Sequence, residues 1–284
     1  MKKIENKKVK HHNTTEDNNK MNNTSPLRYP GGKTRACKYL DNVLTEYFNV
    51  KTISTIVSPF FGGGSFEFYL QNKYNMSILA NDKFTPLATF WKCCKENKKK
   101  LCSALNKIDC VTKGMFNDYR DHIMTETNMV KQAMYYFVIN RCSFSGATLS
   151  GGFSQESSEK RFTKSSIKRL ENLNLDNFDI SNYDFVQYIN DCKTIGDVDT
   201  IMFLDPPYYL EKKSKLYGKC GDLHETFDHK QLHTLLTTKK KWIMTYNDCK
   251  YIRDLYSKYI IIDMAWKYGM NKTKKSSEIA IICI

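Results

Sequence analysis

Hydrophobic positions along the chain follow two periods, one typical of amphipathic helices and one of buried strands. CKYLDNVLTEYF (37–48) repeats apolar residues every three to four positions and predicts a helix. TISTIVSPFF (52–61) is an apolar run that predicts a buried strand, and three glycines follow it. The helical segment SFEFYLQNKY (65–74) and the strand SILAND (77–82) come next. Strand, glycine turn, helix, strand and acidic residue together outline a βαβ nucleotide-binding unit.

The middle of the chain loses this alternation. The basic segment WKCCKENKKKL and the apolar segment AMYYFVIN predict helices, and RCSFSGATLSGGFS (141–154) predicts a loop. We therefore predict an inserted subdomain at 86–190. The alternation returns with the buried strand in DTIMFLDPPYY (199–209) and continues to the C-terminus. The predicted fold class is α/β, with 24–85 and 191–284 forming one domain around the insert.

Composition and charge indicate a folded protein with a polyanionic partner. Of the 284 residues 41% are hydrophobic, which supports a buried core and excludes a wholly disordered chain. Residues 1–23 hold six Lys and predict a flexible basic tail. The tail carries a small part of the formal net charge of +14, so the basicity belongs mainly to the fold. Such a fold favours nucleic acid as partner, although charge alone does not choose between DNA, RNA and an anionic membrane.

Several classes of protein and site are disfavoured. No apolar run approaches the roughly 18 residues of a membrane span, and the first residues lack the apolar stretch of a signal peptide. The ten cysteines show no CxxC pair and no zinc spacing, so they predict buried thiols. His229 and His233 lie on a predicted helix without an HExxH glutamate, which favours a solvated helix face. We expect no metal, no membrane association, and an intracellular, reducing compartment where DNA is accessible.

Asp205-Pro206-Pro207-Tyr208 carries the strongest chemical signal. It follows a buried strand, and the carboxyl end of such a strand faces the ligand crevice of an open α/β sheet. The alternative is a strand-ending turn, since Asp and Pro both stop strands. The exocyclic amine of a nucleobase is a poor nucleophile because its lone pair is delocalised into the ring. Asp205 and the Pro206 carbonyl can accept the two amine hydrogens, and Tyr208 can hold an extruded base.

Two glycine-rich segments precede this tetrapeptide. SPFFGGGS (58–65) lies at a strand-to-helix turn, where glycines let the backbone approach a bulky ligand. Asp82 ends the next strand and is placed to bind ribose hydroxyls. LRYPGGKT (27–34) ends like a P-loop, but that motif needs glycine where Leu27 stands.

Together these blocks resemble the Dam-type DNA adenine-N6 methyltransferases of the D12 class, α group. The resemblance covers about 25–284 and is carried in order by LRYPGGK (27–33), PFFGGGS (59–65), Asn81-Asp82, NRCSFSG (140–146), GGFS (151–154) and DPPYY (205–209). It implies a Rossmann-like, AdoMet-dependent methyltransferase sheet with a helical target-recognition insert. The implied reaction moves the methyl group of S-adenosyl-L-methionine (AdoMet) to N6 of a flipped adenine in a short duplex DNA site.

The resemblance also implies roles for single residues. The catalytic set is Asp205, Pro206, Pro207 and Tyr208. The residues expected to contact AdoMet are Tyr29, Lys33, Phe60, Gly62, Gly64, Asp82 and Asp205. The residues of the insert expected to contact DNA are Arg141, Phe144, Ser145 and Leu149. Arg161 and Lys164 lie on the predicted basic helix RFTKSSIKRL (161–170) and are expected to face phosphates, the alternative being an ordinary solvated helix face. Phe144 resembles an aromatic residue that wedges into the base stack, and its alternative is core packing.

The target and the biological setting stay more open than the chemistry. Leu149 stands where GATC-specific members carry a guanine-reading arginine, which argues against GATC, and CATG is the candidate from other members. The alternatives are cytosine N4, adenine N6 in RNA, or an inactive DNA-binding relative, although Asp205 favours adenine in DNA. A cognate restriction endonuclease is a candidate partner, a viral source fits the Asn/Lys-rich tail, and the oligomeric state is left open.

Overall fold

A seven-stranded sheet runs through the part of the chain that the computed structural model describes, residues 22–209, 227–264 and 278–284. The strands are β1 (Thr55–Ser58), β2 (Ser77–Asn81), β3 (Phe178–Ser181), β4 (Thr200–Leu204), β5 (Trp242–Asn247), β6 (Ile260–Met264) and β7 (Glu278–Cys283). Their order is β3-β2-β1-β4-β5-β7-β6. β1 to β5 pair in parallel, whereas β7 runs antiparallel to both β5 and β6. The predicted α/β class is confirmed.

Eleven helices are present in the described ranges. They are α1 (Cys37–Tyr47), α2 (Ser65–Tyr74), α3 (Thr85–Glu96), α4 (Lys98–Asn106), α5 (Lys113–His122), α6 (Met129–Cys142), α7 (Gln155–Arg161), α8 (Lys164–Glu171), α9 (Phe185–Asp191), α10 (His229–Leu236) and α11 (Lys250–Leu255). Short 3-10 turns lie at Lys33–Arg35, Val50–Thr52 and Phe144–Gly146. None of these helices has the length and apolarity needed to cross a membrane.

The sheet is covered on both faces, and β4 shows how. Its five residues are all buried. Ile201 and Phe203 belong to one apolar cluster, which includes α1 to α4 and α6. Met202 and Leu204 belong to a second cluster, which includes α9, α10 and α11. Because successive strand residues point to opposite faces, a strand buried on both sides reads as a continuous apolar run.

The predicted insert at 86–190 contains part of the sheet. β3 and all but the last residue of α9 lie within 86–190. β3 pairs with β2 of the central sheet, and α9 packs in the second apolar cluster. The helical layer outside the sheet is therefore α4 to α8, between α3 and β3. The segment FDIS of β3 is short, and only its first residue is buried, so it has no apolar run for sequence reasoning to detect.

The predicted tail at 1–23 lies outside the described residues except for its last two positions. Asn23 is buried and belongs to the fold. Its side-chain amide donates to Gln71 Oε1 and to the Asn174 carbonyl, both at 2.6 Å. Its backbone N–H and carbonyl bond reciprocally with Asn72 at 2.7 Å. The chain is thus anchored to α2 already at Asn23.

The cysteines partly follow the prediction of buried thiols. Five of the nine described cysteines are buried, Cys110 is exposed, and three are half-buried. Among the described side chains, no three of His, Cys, Asp or Glu are grouped as they would be around a metal ion.

Candidate active site at the carboxyl edge of the sheet

Asp205 stands directly after β4, in the middle of the sheet. Its carboxyl Oδ1 accepts a hydrogen bond of 2.6 Å from Thr245 Oγ1 of the neighbouring β5. The two prolines that follow have fixed φ, so the direction of the Pro206 carbonyl is set by the backbone. The carboxyl ends of parallel strands meet at one edge, and this is the edge where open α/β sheets bind ligands.

Lys33 brings the LRYPGGK block to this edge. Its side chain is only 5% exposed, and its Nζ lies 2.9 Å from Asp205 Oδ1. The same ammonium group donates to the Gly31 carbonyl at 2.9 Å and lies 4.0 Å from Glu278 Oε2. It also lies 5.0 Å from the centroid of the Tyr208 ring, a cation–π distance. Two sequence blocks predicted to share a site are therefore in direct contact.

The glycine loop after β1 is shaped by Tyr29. Gly62 has φ +51, and a Cβ atom there would lie 2.7 Å from Tyr29 Cε1. A Cβ atom on Gly63 would lie 2.9 Å from the Cβ of Tyr29. Gly64 also has positive φ, and its missing side chain leaves space for the ring of Phe61. Tyr29 and Gly62, both predicted as cofactor residues, therefore pack directly against each other, whereas Gly64 packs against Phe61.

Asp82 fastens the end of β2 to the same loop. One carboxyl oxygen accepts from the Gly62 N–H and the other from the Phe84 N–H, both at 2.9 Å. Burial of the carboxyl group raises the pKa of Asp82 to about 6. The preceding Asn81 donates to the Pro59 carbonyl at 3.1 Å. Asn81 and Asp82 thus hold the loop after β1 in place through their bonds to Pro59 and Gly62.

Phe60 begins an aromatic wall beside this loop. Its ring centroid lies 5.6 Å from that of Phe185 and 5.6 Å from that of Phe227. Phe185 and Phe227 are themselves 5.1 Å apart. Phe60 and Phe227 are partly buried, and the exposed parts of their rings are suited to contact with a planar ligand.

Glu67 is a buried acid of this region that sequence reasoning missed. It lies on α2, two residues after the SPFFGGGS block, and is 2% exposed. Ser58 Oγ donates to Glu67 Oε1 at 2.6 Å, joining the helix to the carboxyl end of β1. Burial is the main reason that the pKa of Glu67 rises to about 7. Thr245 and Glu278 were also missed, since each lies inside an apolar strand without a motif.

Glu67→Gln is expected to make the protein more stable at pH 8 than the wild type. The pKa of Glu67 in the folded protein, about 7, lies above the ordinary value of 4.5, so part of the wild-type stability is lost as pH rises between those values. The loss amounts to about 3 kcal/mol, or about 6 °C in melting temperature. Gln keeps the acceptor for Ser58 and does not titrate.

Melting temperatures from pH 5 to pH 8 check this expectation. The gap between Glu67→Gln and wild type should open as pH rises. The exposed acid Glu96, changed to Gln, is the matched control and should give no such gap. A pH-independent difference for Glu67→Gln would contradict the assignment.

Three of the predicted DNA residues lie in the loop between α6 and α7. Phe144 is 75% exposed, and Ser145 beside it has φ +53. The ends of the loop are closed by a bridge between Ser143 and Phe153. Leu149 is half-buried against the larger apolar cluster. The exposure of Phe144 disagrees with the core-packing alternative.

Arg141 does not lie on the surface that a DNA contact requires. It is 8% exposed, and its guanidinium donates to the carbonyls of Arg161 and Pro26. Burial, followed by the charges of three nearby arginines, lowers the pKa of Arg141 to about 10. Its observed contacts tie α6 to the end of α7 and to the segment before LRYPGGK. Arg161 and Lys164 themselves are exposed.

The segment 143–154 between α6 and α7 holds the predicted DNA residues Phe144, Ser145 and Leu149 and is the recognition loop. Asn140 joins this loop to the LRYPGGK block. The Arg28 N–H donates to Asn140 Oδ1 at 2.9 Å, and Asn140 Nδ2 donates back to the Arg28 carbonyl at 2.8 Å. Arg28 Nη1 also donates to the Ser143 carbonyl at 3.1 Å. The segment that carries Lys33 into the active site is therefore fixed to the loop that exposes Phe144.

Comparisons with known proteins agree with this arrangement. The model of the D12 class N6 adenine-specific DNA methyltransferase family matches residues 29–270. The type II methyltransferase M.CviBI of Paramecium bursaria Chlorella virus NC1A is 24% identical over 257 residues, which cover 85% of this chain and 90% of that protein. The type II methyltransferase M.MjaIII of Methanocaldococcus jannaschii is 24% identical over 204 residues, covering 64% and 68%. Because the family model matches most of the chain, this protein belongs to the D12 class of N6 adenine-specific DNA methyltransferases.

Proposed function

We propose that the protein methylates adenine N6 within a short duplex DNA site, with AdoMet as methyl donor and the Asp205 edge of the sheet as active site. The observation that carries this proposal is the contact of Lys33 with Asp205, which joins the LRYPGGK block to DPPY. The residues of the second glycine block and Asp82 lie around the same edge. CATG as target, and a cognate endonuclease, stay predictions.

The side chains at this edge fit AdoMet. Asp205 holds an ammonium group in this structure, that of Lys33, so its carboxylate can equally hold the ammonium of the methionine part. The two Asp82 oxygens each accept one backbone N–H and keep a second lone pair for ribose hydroxyls. The missing side chains of Gly62 and Gly63 make room for Tyr29, which the resemblance assigns to the cofactor. Phe60 offers a ring face beside them.

The reaction then depends on how this chain presents the adenine amine. AdoMet supplies an electrophilic methyl group on a sulfonium sulfur. Asp205 and the Pro206 carbonyl accept the two hydrogens of N6, which favours a pyramidal nitrogen with an available lone pair. Thr245 and Lys33 fix the direction of the Asp205 carboxylate. After transfer the extra proton on N6 leaves through Asp205 to solvent, and no covalent enzyme intermediate is needed.

Incubation of the protein with AdoMet and unmethylated genomic DNA, followed by single-molecule mapping of modified bases, tests the proposal. N6-methyladenine confined to one short sequence is the expected result, and it also identifies the site. Methyl groups on cytosine N4, or on adenine of an RNA substrate only, would overturn the assigned substrate. Failure to bind AdoMet in calorimetry would overturn the cofactor and favour a DNA-binding relative without activity.

Phe144→Ala is expected to lower kcat/KM on duplex DNA by about 10–100-fold. An exposed ring on the recognition loop can fill the gap left by a flipped base, and unstacking costs a few kcal/mol. The loss should shrink on a duplex whose target adenine is mismatched, because that base is easier to extrude.

Val198→Ala is the matched control for Phe144→Ala. Val198 is 82% exposed and lies before β4, at the opposite edge of the sheet. Its removal should leave both substrates unaffected. An equal loss on matched and mismatched DNA for Phe144→Ala would contradict the wedge role.

A further inference from the structure

Trp91 is a fully buried side chain that neither the sequence motifs nor the proposed mechanism assigns to the site. It lies on α3, at the start of the predicted insert, and its indole Nε1–H donates a hydrogen bond of 2.9 Å to the Gly62 carbonyl. Gly62 belongs to the glycine loop after β1. A buried indole N–H needs a partner, and here that partner is a backbone group of the candidate site.

Both peptide groups of Gly62 are fixed by side chains. Its N–H donates to Asp82 Oδ2 at 2.9 Å, and its carbonyl accepts from Trp91. Gly62 has φ +51, a left-handed conformation, and packs against the ring of Tyr29. Asp82 and Tyr29 are predicted to contact the cofactor. Trp91 is 0% exposed and acts on the same glycine from inside the core.

The carboxyl group of Asp82 is tied to α3 in two ways. Its Oδ1 accepts at 2.9 Å from the N–H of Phe84, the residue that precedes the helix. Its Oδ2 is joined to the same helix about two turns further on, through Gly62 and Trp91. The orientation of the carboxylate that is predicted to meet the ribose hydroxyls therefore depends on the Trp91 hydrogen bond.

The ring of Trp91 supports the glycine loop a second time, through Phe61. The centroids of the two rings are 5.3 Å apart in an edge-to-face contact. Phe61 fills the space beside Gly64, where a Cβ atom would lie 2.3 Å from the phenyl ring. The loop thus rests on Trp91 through one hydrogen bond and one ring contact.

We infer that Trp91 is a positioning residue for AdoMet: its indole N–H keeps the glycine loop in the form in which Asp82 faces the ribose. This inference rests on the proposed function, because it assigns the ribose hydroxyls to Asp82. Without its donor the buried Gly62 carbonyl favours other loop conformations by about tenfold, since an unpaired buried carbonyl is costly. The apparent affinity for AdoMet falls with the fraction of protein whose loop is ready to bind.

Trp91→Phe keeps an aromatic ring in the core and removes the indole N–H. Calorimetry should show that this variant binds AdoMet about tenfold more weakly than wild type does. Trp242→Phe is the matched control, because Trp242 is also 0% exposed and its Nε1 donates at 3.2 Å to the Lys239 carbonyl. That bond lies before β5, at the opposite edge of the sheet. Both variants should lose a similar amount of stability, whereas Trp242→Phe should bind AdoMet as wild type does.

The indole N–H signals in the nuclear magnetic resonance spectrum of the wild type give a test without any change at Trp91. The Trp242 signal is assigned by its loss in Trp242→Phe, and the Trp91 signal by its ring contact with Phe61. Addition of AdoMet should shift the Trp91 signal, because its acceptor lies in the loop beside the cofactor, and should leave the Trp242 signal in place.

A role of Trp91 in core packing alone would lower the melting temperature and leave AdoMet affinity unchanged. Equal AdoMet affinities of the two variants, or a Trp91 signal that AdoMet does not move, would overturn this inference and leave the proposed function intact. No AdoMet binding by wild type would overturn the proposed function itself.

Discussion

Replacement of Asp205 by alanine is expected to lower methyl transfer by at least about a thousandfold while DNA affinity stays within a few fold of wild type. In the proposed mechanism the carboxylate accepts a hydrogen from N6, and general-base contributions of this kind reach about 10²–10⁴. Its partners Thr245 and Lys33 orient it and do not replace it. Three of the residues predicted to contact DNA lie on the recognition loop, away from this change. Steady-state transfer of labelled methyl groups and a gel-shift titration measure the two quantities.

The control for this prediction lies on the same strand. Asp199 stands directly before β4 and Asp205 directly after it, so Asp199→Ala removes a carboxyl group from the opposite edge of the sheet. That variant should retain full activity. Asp205→Asn tests charge at constant shape and should be nearly as inactive as the alanine variant. Near-normal turnover of either Asp205 variant would refute the assigned mechanism.

Folding must be checked beside activity, because Asp205→Ala leaves Lys33 without its nearest carboxylate. Loss of one partner of a buried ion pair costs about 3–5 kcal/mol when the remaining charge has no other partner. Glu278 lies 4.0 Å from Lys33 and can take over part of that role. We therefore expect a lowered melting temperature but a folded protein, measurable by circular dichroism.

Sequence patterns predicted the centre of the sheet well and the edge strand β3 poorly. β1, β2, β4 and β5 lie in the interior of the sheet, where both faces are covered, so their apolar runs are continuous and easily detected. β3 is an edge strand of four residues with partly exposed positions, and it was assigned to the insert. β3 lacks that signal because only its first residue is buried.

The site was predictable as a set of motifs but not as a set of contacts. The contact of Lys33 with Asp205 joins residues far apart in the chain, and no local pattern encodes it. Arg141 was assigned to DNA from its place in the NRCSFSG block of the resemblance, whereas here three hydrogen bonds to the carbonyls of Arg161 and Pro26 hold it inside. Glu67 was overlooked, since acids on helices are mostly exposed.

Gly146→Ala is expected to destabilise the protein by about 3 kcal/mol or more and to abolish site-specific methylation. Gly146 has φ +77, a conformation that costs about 1–2 kcal/mol for other residues. A Cβ atom there would lie 1.9 Å from the Arg28 carbonyl oxygen, which is backbone and cannot rotate away. The same carbonyl accepts from Asn140, so its displacement would break the bonds that join the recognition loop to the LRYPGGK block.

The consequence reaches the active site through the short chain between Arg28 and Lys33. Displacement of Arg28 moves the segment that places the Lys33 ammonium on Asp205, so binding of DNA and orientation of the catalytic carboxylate should be lost together. Gly152→Ala is the matched control, because no atom lies within 4 Å of a Cβ built there, in the same loop. We expect a drop of about 6 °C or more in melting temperature for Gly146→Ala and almost none for Gly152→Ala. Equal melting temperatures and activities in the two variants would show that the loop and the active site are not joined through Arg28.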